Sequence, residues 1–311
     1  MNPIRSGLKS LLLLIAMLSI SVAYAAPENE VFEYNGHQRS FIIYQPASYD
    51  SGQPVPLLMV LHGRNGTAQR VSELTSFNKR ADQHGFIVVY PEGTSKQWNY
   101  LHGIPGAPEG ADDPGFLLAL TRAIINQYNI DLKQIYVTGI SNGGFMAQRI
   151  ACDQSNLYSG FASVAAGGYA VMPEYCKRTT AIDALYLHGT ADRLVPWEGL
   201  GVRDKNGEEQ LVTMSIKKSL KFWAEHNQCS PKVVINDLSP TGRSPETRVR
   251  ILNSNYCPSR SKVTLYAIIG GGHNWPGVQN TFPSSVTGHV NLDIHASDEI
   301  WTFFSRKTVD P

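Results

Sequence analysis

Tyr136-Val137-Thr138-Gly139-Ile140-Ser141-Asn142-Gly143-Gly144-Phe145-Met146 is the stretch whose reading decides the fold. Residues 135–138 are apolar and β-branched, the composition of a buried strand, and Phe145, Met146 and Ile150 recur at helical spacing beyond them. Between the two stands G-x-S-x-G. A serine held between glycines can occupy a strained strand-to-helix bend that lifts its hydroxyl clear of the backbone, while the next N–H points at an incoming carbonyl. The same pattern also describes an ordinary glycine-rich turn, so its meaning depends on what the rest of the chain places around it.

Outward from this bend, strand and helix alternate. Residues 57–61 form a continuous apolar run, as a strand covered on both faces requires, and it ends in His62-Gly63-Arg64. Residues 72–84 carry a helical pattern closed by Gly85, and residues 86–90 read as a second buried strand ending at Pro91. Ahead of these, residues 31–34 and 39–44 flank Asn35-Gly36, a dipeptide suited to a tight hairpin. Residues 92–111 make a polar loop carrying Trp98, Tyr100 and His102, after which Asp113 is expected to cap a helix starting at Pro114.

Beyond the bend, residues 161–166, 184–188, 233–235, 247–252 and 263–269 read as strands, and residues 213–226 and 296–305 as helices. This alternation predicts an α/β fold of the α/β-hydrolase type. It has a mostly parallel central sheet, helices on both faces, and ligands at the carboxyl ends of the strands. No internal repeat, low-complexity tract or linker interrupts it, so residues 26–311 are expected to form a single catalytic domain without a separate substrate-anchoring module.

Arg5 and Lys9, the apolar run 11–20 and Ala23-Tyr24-Ala25 have the form of a cleaved secretory signal, residues 1–25, which would leave 311 − 25 = 286 residues. The run is shorter than the roughly 20 residues that span a bilayer, so a secreted protein, periplasmic or extracellular and without a membrane anchor, is expected. A hydrophobic content of 42% suffices for one large core. With 27 basic and 26 acidic residues spread without runs, neither nucleic acid nor an anionic membrane is implied as a partner, and a neutral or mildly polar ester fits better. Four cysteines in an exported chain point to two disulfides with three possible connectivities, of which the sequence-neighbour pairs Cys152 with Cys176 and Cys229 with Cys257 come first. Metal ligation would want a tighter Cys/His cluster, and no metal or cofactor is expected.

The residues just past the strand ends are His62-Gly63-Arg64, Ser141, Asp192 and His273, and such positions converge on one edge of a parallel sheet. A hydroxyl is a poor nucleophile at neutral pH and needs a base within hydrogen-bond reach and a carboxylate to orient that base. Ser141, Asp192 and His273 take these roles in the chain order of an α/β-hydrolase. His273 follows an apolar strand and three glycines; His289 and His295 are its nearest rivals, while Asp293 and Asp298 fall near a helix start. Two backbone N–H groups, of Asn142 and Arg64, occupy the positions from which a developing oxyanion is held. Trp98, Trp197 and Trp275 fall in loops at the strand ends, where aromatic faces can stack on a sugar or phenolic ring. Trp223 and Trp301 read as core.

Taken with Leu61-His62-Gly63, Asp112-Asp113, His188-Gly189-Thr190-Ala191-Asp192 and Gly270-Gly271-Gly272-His273-Asn274-Trp275-Pro276-Gly277, the chain resembles the polyhydroxybutyrate depolymerase and feruloyl esterase family, in carbohydrate esterase family one. The resemblance covers nearly all of the mature chain. It implies a Ser141/Asp192/His273 triad, metal-free hydrolysis of carboxylic esters, secretion and the two neighbour-pair disulfides. Relatives often carry cysteine or a small residue where this chain has Arg64, and depolymerases of solid polyester usually carry an extra binding module. Soluble feruloyl, acetyl or short hydroxyalkanoate esters are therefore the expected substrates. The rival readings are a peptidase of the prolyl oligopeptidase type and a non-catalytic carbohydrate-binding protein on a hydrolase scaffold.

Overall fold

Alternate residues of the central strands face opposite cores, and the order of elements follows from covering both. The computed structural model describes residues 28–107, 109–153, 156–176, 180–203, 207, 209–254, 256–279 and 283–305; the expected signal segment lies outside these. β1 (Glu28–Tyr34) and β2 (His37–Tyr44) form a hairpin whose turn residues, Asn35 and Gly36, have φ of 50° and 74°, the left-handed values this dipeptide favours. Then come β3 (Val55–Leu61), α1 (Ala68–Thr75), α2 (Phe77–His84), β4 (Ile87–Pro91), α3 (Asp113–Gln127), β5 (Ile130–Ile140), α4 (Asn142–Asp153), β6 (Gly160–Val164), α5 (Met172–Tyr175) and β7 (Asp183–Gly189). The chain continues through β8 (Leu200–Arg203), β9 (Glu209–Thr213), α6 (Ile216–His226), β10 (Val233–Asp237), β11 (Arg248–Ser254), β12 (Val263–Ile269), α7 (Ser284–Thr287) and α8 (Ala296–Ser305).

The main sheet has the order β1-β2-β4-β3-β5-β6-β7-β12-β11-β10. Pairing is parallel from β4 across to β12 and antiparallel at both margins. Leu57, Met59 and Leu61 face a core shared with α3, α4 and α6, whereas Leu58 and Val60 face a second core shared with α1, α2 and α8. Each fully buried side chain of this size contributes about 1.5–3 kcal/mol. The continuous apolar runs exist because both faces of these strands are covered.

Three local expectations change. The helical pattern over residues 72–84 is two helices, because Ser76 takes φ 51° and breaks the hydrogen-bond ladder between α1 and α2. The cap of α3 is Asp112, whose side chain accepts from the Gly115 N–H at 2.9 Å; Asp113 turns inward to a buried ion pair with Arg39 at 2.7 Å. Finally, β8 and β9 form a separate hairpin after β7. Four exposed or half-exposed residues in β8 carry no burial periodicity to betray it. Both neighbour-pair disulfides, Cys152–Cys176 and Cys229–Cys257, are present.

Where β5 turns into α4, a Cβ on Gly143 would lie 2.5 Å from the carbonyl oxygens of Leu61 and His62, and one on Gly139 would lie 2.5 Å from Gly143 itself. The helix start is thus pressed onto the end of β3. Gly143→Ala is expected to cost at least about 1–3 kcal/mol, the range of overpacking substitutions, because backbone rather than a flexible side chain must move. Urea unfolding of the two proteins measures this, and equal midpoints would mean the junction is looser than its geometry.

Candidate active site

Ser141 is the one residue between β5 and α4. Its φ of 56° lies in the left-handed region, which a non-glycine residue enters at a cost and keeps only when its surroundings hold it there. They do so from both sides: its N–H donates to the Val164 carbonyl at the end of β6 at 2.8 Å, and its own carbonyl accepts from Gly144 and Phe145 at 2.8 and 3.1 Å. The side chain is half-exposed at the carboxyl edge of the sheet.

Asp192 and His273 follow β7 and β12, which are neighbours in the sheet. The loops beyond them pass so closely that a Cβ on Gly189 would lie 2.3 Å from the Gly271 carbonyl oxygen. Asp192 is buried. Its Oδ1 accepts from the Leu194 and Val195 N–H groups at 2.9 and 2.8 Å, and its Oδ2 accepts from His273 Nδ1 at 2.8 Å. The His273 loop is braced in turn by Asn274, whose Nδ2 donates to the carbonyls of Thr287, Gly288 and His289 at 3.2, 3.3 and 3.1 Å. No hydrogen bond joins Ser141 to His273 among the described residues. Three of the rivals have other partners: His295 Nδ1 accepts from the Ser297 N–H, Asp298 pairs with Arg80, and Asp293 accepts from Thr241.

Residues 39–203, more than half of the chain, match the family model described as Esterase PHB depolymerase. The chain belongs to that esterase family. It stands among the carboxylic ester hydrolases of α/β-hydrolase type. It is 26% identical over 257 residues to a putative esterase NocK of Nocardia uniformis subsp. tsuyamanensis, covering 78% of this chain and 72% of that protein. It is 26% identical to an acetylxylan esterase of Coprinopsis cinerea, covering 70% of this chain and 60% of that one. It is 25% identical to a feruloyl esterase B of Piromyces equi, covering 76% and 42%. The chain therefore spans less than two-thirds of the latter two. Among solved structures, an acetyl xylan esterase from Aspergillus awamori superposes with a TM-score of 0.58 over 90% of this chain and all of that one, at 14% identity, a likeness of fold.

Two further histidines adjoin the site. His62 is buried, with Nδ1–H donating to the Gly63 carbonyl at 2.8 Å and Nε2 accepting from the Gly93 N–H at 2.9 Å, so it is held neutral; burial lowers its pKa, partly opposed by the Gly63 carbonyl and Glu92. His188 is fully buried beside the triad candidates. Its Nδ1 lies 3.0 Å from the Gly189 carbonyl, and its Nε2 stands 3.8 Å from Asp192 Oδ2 without a hydrogen-bond partner. Burial pushes its pKa down to about 4, with the nearby Asp192 pulling the other way.

Asn142 does more than offer a backbone N–H. Its Oδ1 accepts from the Trp98 N–H at 2.6 Å and its Nδ2 donates to the Trp98 carbonyl at 3.0 Å, clamping the 92–111 loop to the start of α4. Arg149 on the same helix donates to the carbonyls of Tyr100 and His102, and Asp113 accepts from the Asn99 N–H. These fastenings join residues 14 to 49 positions apart, which no local pattern could signal. Arg64 is exposed, and its neighbour Gly63 sits so close to the bend that a Cβ there would be 3.5 Å from the Ser141 Cβ.

The tryptophans require a correction. Trp275 is 2% exposed and does not line a cleft; it packs edge-on against Phe77 and donates its Nε1–H to Ser297 Oγ at 3.2 Å, inside the α1, α2 and α8 core. Nearness to His273 in sequence misled, because contacts with Phe77 and Ser297, far away in the chain, draw this ring into the core. Trp98 is also buried, donating Nε1–H to the His62 carbonyl at 2.9 Å, so its role is to support the loop. Trp197 is half-buried, its ring edge-on to His188. Trp223 and Trp301 are core, as expected. Among the described residues no group of three or more His, Cys, Asp or Glu side chains is arranged to hold a metal ion.

Because His188 resists protonation down to about 4 in the fold while a free histidine protonates near 6.5, the unfolded chain binds a proton that the native one does not. The stability contributed by the neutral ring is complete above that free value and is lost as pH falls toward the folded one. At about 1.36 kcal/mol per pH unit this amounts to roughly 3 kcal/mol. His188→Gln should therefore lose less unfolding free energy than wild type between about pH 7 and pH 4. Parallel pH profiles for the two proteins would remove His188 as a source of acid sensitivity.

Proposed function

We propose that the protein is a secreted serine carboxylesterase that works through a covalent acyl-enzyme. The observation that carries this reading is the buried Asp192 holding His273 Nδ1 at 2.8 Å on the same sheet edge as a serine kept in the left-handed region. With Nδ1–H given to the carboxylate, the imidazole presents Nε2 as the basic nitrogen.

In this mechanism Ser141 Oγ attacks the ester carbonyl carbon while His273 Nε2 takes its proton, and Asp192 stabilises the imidazolium that results. The oxyanion accepts hydrogen bonds from the Asn142 and Arg64 N–H groups. The first is favoured because the opening N–H groups of a helix have no intrahelical acceptor. Collapse breaks the carbonyl–alkoxy bond, and His273 returns the proton to the leaving alcohol. Water then adds to the acyl-enzyme with His273 again as base, releasing the acid and restoring the serine. Relatives named acetylxylan esterase and feruloyl esterase B support acetyl or feruloyl esters of polysaccharide fragments as substrates, and the family description supports short hydroxyalkanoate oligomers. Two disulfides accord with an oxidising compartment.

Ser141→Ala should lower kcat/KM for 4-nitrophenyl acetate by about 10⁴-fold or more while the circular dichroism spectrum and melting temperature stay near wild type. Turnover surviving that change would end the serine mechanism. Asp192→Asn should reduce kcat by about 10⁴-fold, since the imidazole is then offered the wrong partner for its Nδ1–H. A loss of tenfold or less would place the orienting carboxylate elsewhere.

A further inference from the structure

Two His-Gly pairs stand at strand ends on the carboxyl edge of the sheet, His62-Gly63 after β3 and His188-Gly189 at the end of β7, and the mechanism uses neither imidazole. They share one local geometry. In each, the ring Nδ1 lies against the carbonyl oxygen of the following glycine, at 2.8 Å for His62 and 3.0 Å for His188. In each, that carbonyl also closes a tight turn by accepting from the N–H three residues on, from Gly66 at 3.0 Å and from Asp192 at 3.3 Å.

The two turns differ in what becomes of the next N–H. A trans peptide is planar and its C=O and N–H point in opposite directions, so a pinned glycine carbonyl also aims the N–H of the residue after it. The Thr190 N–H is consumed, donating to the Ile268 carbonyl at 2.9 Å. The Arg64 N–H has no acceptor among the described residues. It belongs to the peptide that leaves Gly63, where an added Cβ would lie 3.5 Å from the Ser141 Cβ. The His62 ring is itself held. The Gly93 N–H donates to its Nε2 at 2.9 Å, which leaves the proton on Nδ1 for the Gly63 carbonyl. A Cβ on Gly66 would be 3.1 Å from His62 Cβ and one on Gly93 3.1 Å from His62 Nε2, so backbone closes on this side chain from two sides.

We propose that His62 is a positioning residue of the oxyanion site: by donating Nδ1–H to the Gly63 carbonyl it fixes the Gly63–Arg64 peptide and keeps the Arg64 N–H turned away from the ring, free for the oxygen of the reacting ester. The proposal rests on the serine-esterase reading and gives its second backbone donor an anchor. The ring acts through the peptide and touches neither substrate nor the reacting atoms. A purely supporting role is the competing account, since the Trp98 ring packs on His62 at 4.9 Å and donates to its carbonyl. The two accounts differ in which nitrogen of the imidazole matters and in whether its effect passes through the Arg64 N–H.

The test measures kcat and KM for 4-nitrophenyl acetate with the full-length chain. An asparagine amide can stand where Nδ1 stands and donate to the Gly63 carbonyl, whereas a glutamine amide reaches the place of Nε2 and leaves that carbonyl without its donor. His62→Gln should therefore lower kcat at least about tenfold with KM nearly unchanged, the mark of an interaction made in the transition state, while His62→Asn should stay within about threefold of wild type. Asn65, at φ 62°, gives the Gly63–Gly66 turn the form of type II, which accepts proline at its second position. Arg64→Pro then deletes the N–H itself and should cost about 10²-fold or more in kcat, the scale of one lost oxyanion donor. In the Arg64→Pro background His62→Gln should add less than about threefold, because its effect has no donor left to act through. His62→Ala, which removes the same anchor, takes the place of the glutamine variant if that does not fold. Equal losses in the asparagine and glutamine variants, the same loss from His62→Gln in both backgrounds, or full turnover in Arg64→Pro overturns the proposal. Any of these with Ser141→Ala inactive removes this proposal alone; turnover that survives Ser141→Ala removes the serine-esterase reading as well.

Discussion

The structure turns on the contact between the start of α4 and the end of β3. Gly139 and Gly143 let backbone meet backbone where any Cβ would collide with carbonyl oxygens. That approach forces the chain to reverse within a single residue, and Ser141 absorbs the reversal at a φ of 56°. The cost of the strained residue is offset by packing on either side. Below it, β5 lies between β3 and β6, and above it α4 buries nearly its whole length. A serine that bends the chain because the fold requires it has its backbone fixed at one position on the carboxyl edge of the sheet.

A similar constraint governs the other half of the site. β7 and β12 are adjacent parallel strands, and their following loops nearly touch at Gly189 and Gly271. Asp192 and His273, 81 residues apart in sequence, meet because of this. The carboxylate is fixed by two backbone N–H groups and the imidazole loop by three carbonyls, so neither partner relies on the other for its position. The buried His188 lies beside them, its Nε2 3.8 Å from Asp192 Oδ2.

Much of this was legible before any coordinates. β3, β4 and β12 announce themselves as unbroken apolar runs, because a strand covered on both faces has no polar side to alternate with. The residues after the strands of an α/β sheet are where it gathers chemistry, so Ser141 after β5, Asp192 after β7 and His273 after β12 stand out. Other features were invisible for definite reasons. The helical period runs through residue 76 undisturbed, yet Ser76 takes a left-handed turn there. The β8–β9 hairpin is too short and too exposed to leave a pattern. Trp275 has a loop's neighbours in sequence but a core's neighbours in space.

The amino-acid sequence by itself determined most of the alternation of strands and helices and which residue types stand at each strand end, while it left three disulfide connectivities open with the neighbour pairs foremost. These depend on local composition and on burial periodicity, which the chain carries everywhere along its length. Only the tertiary structure decided which strand lies beside which, that Asp192 reaches His273, that Asn142 clamps Trp98, and that Trp275 turns away from the site. Those outcomes are set by close packing between segments far apart in the chain, where a difference of an ångström selects one partner over another and no nearby residue records the choice.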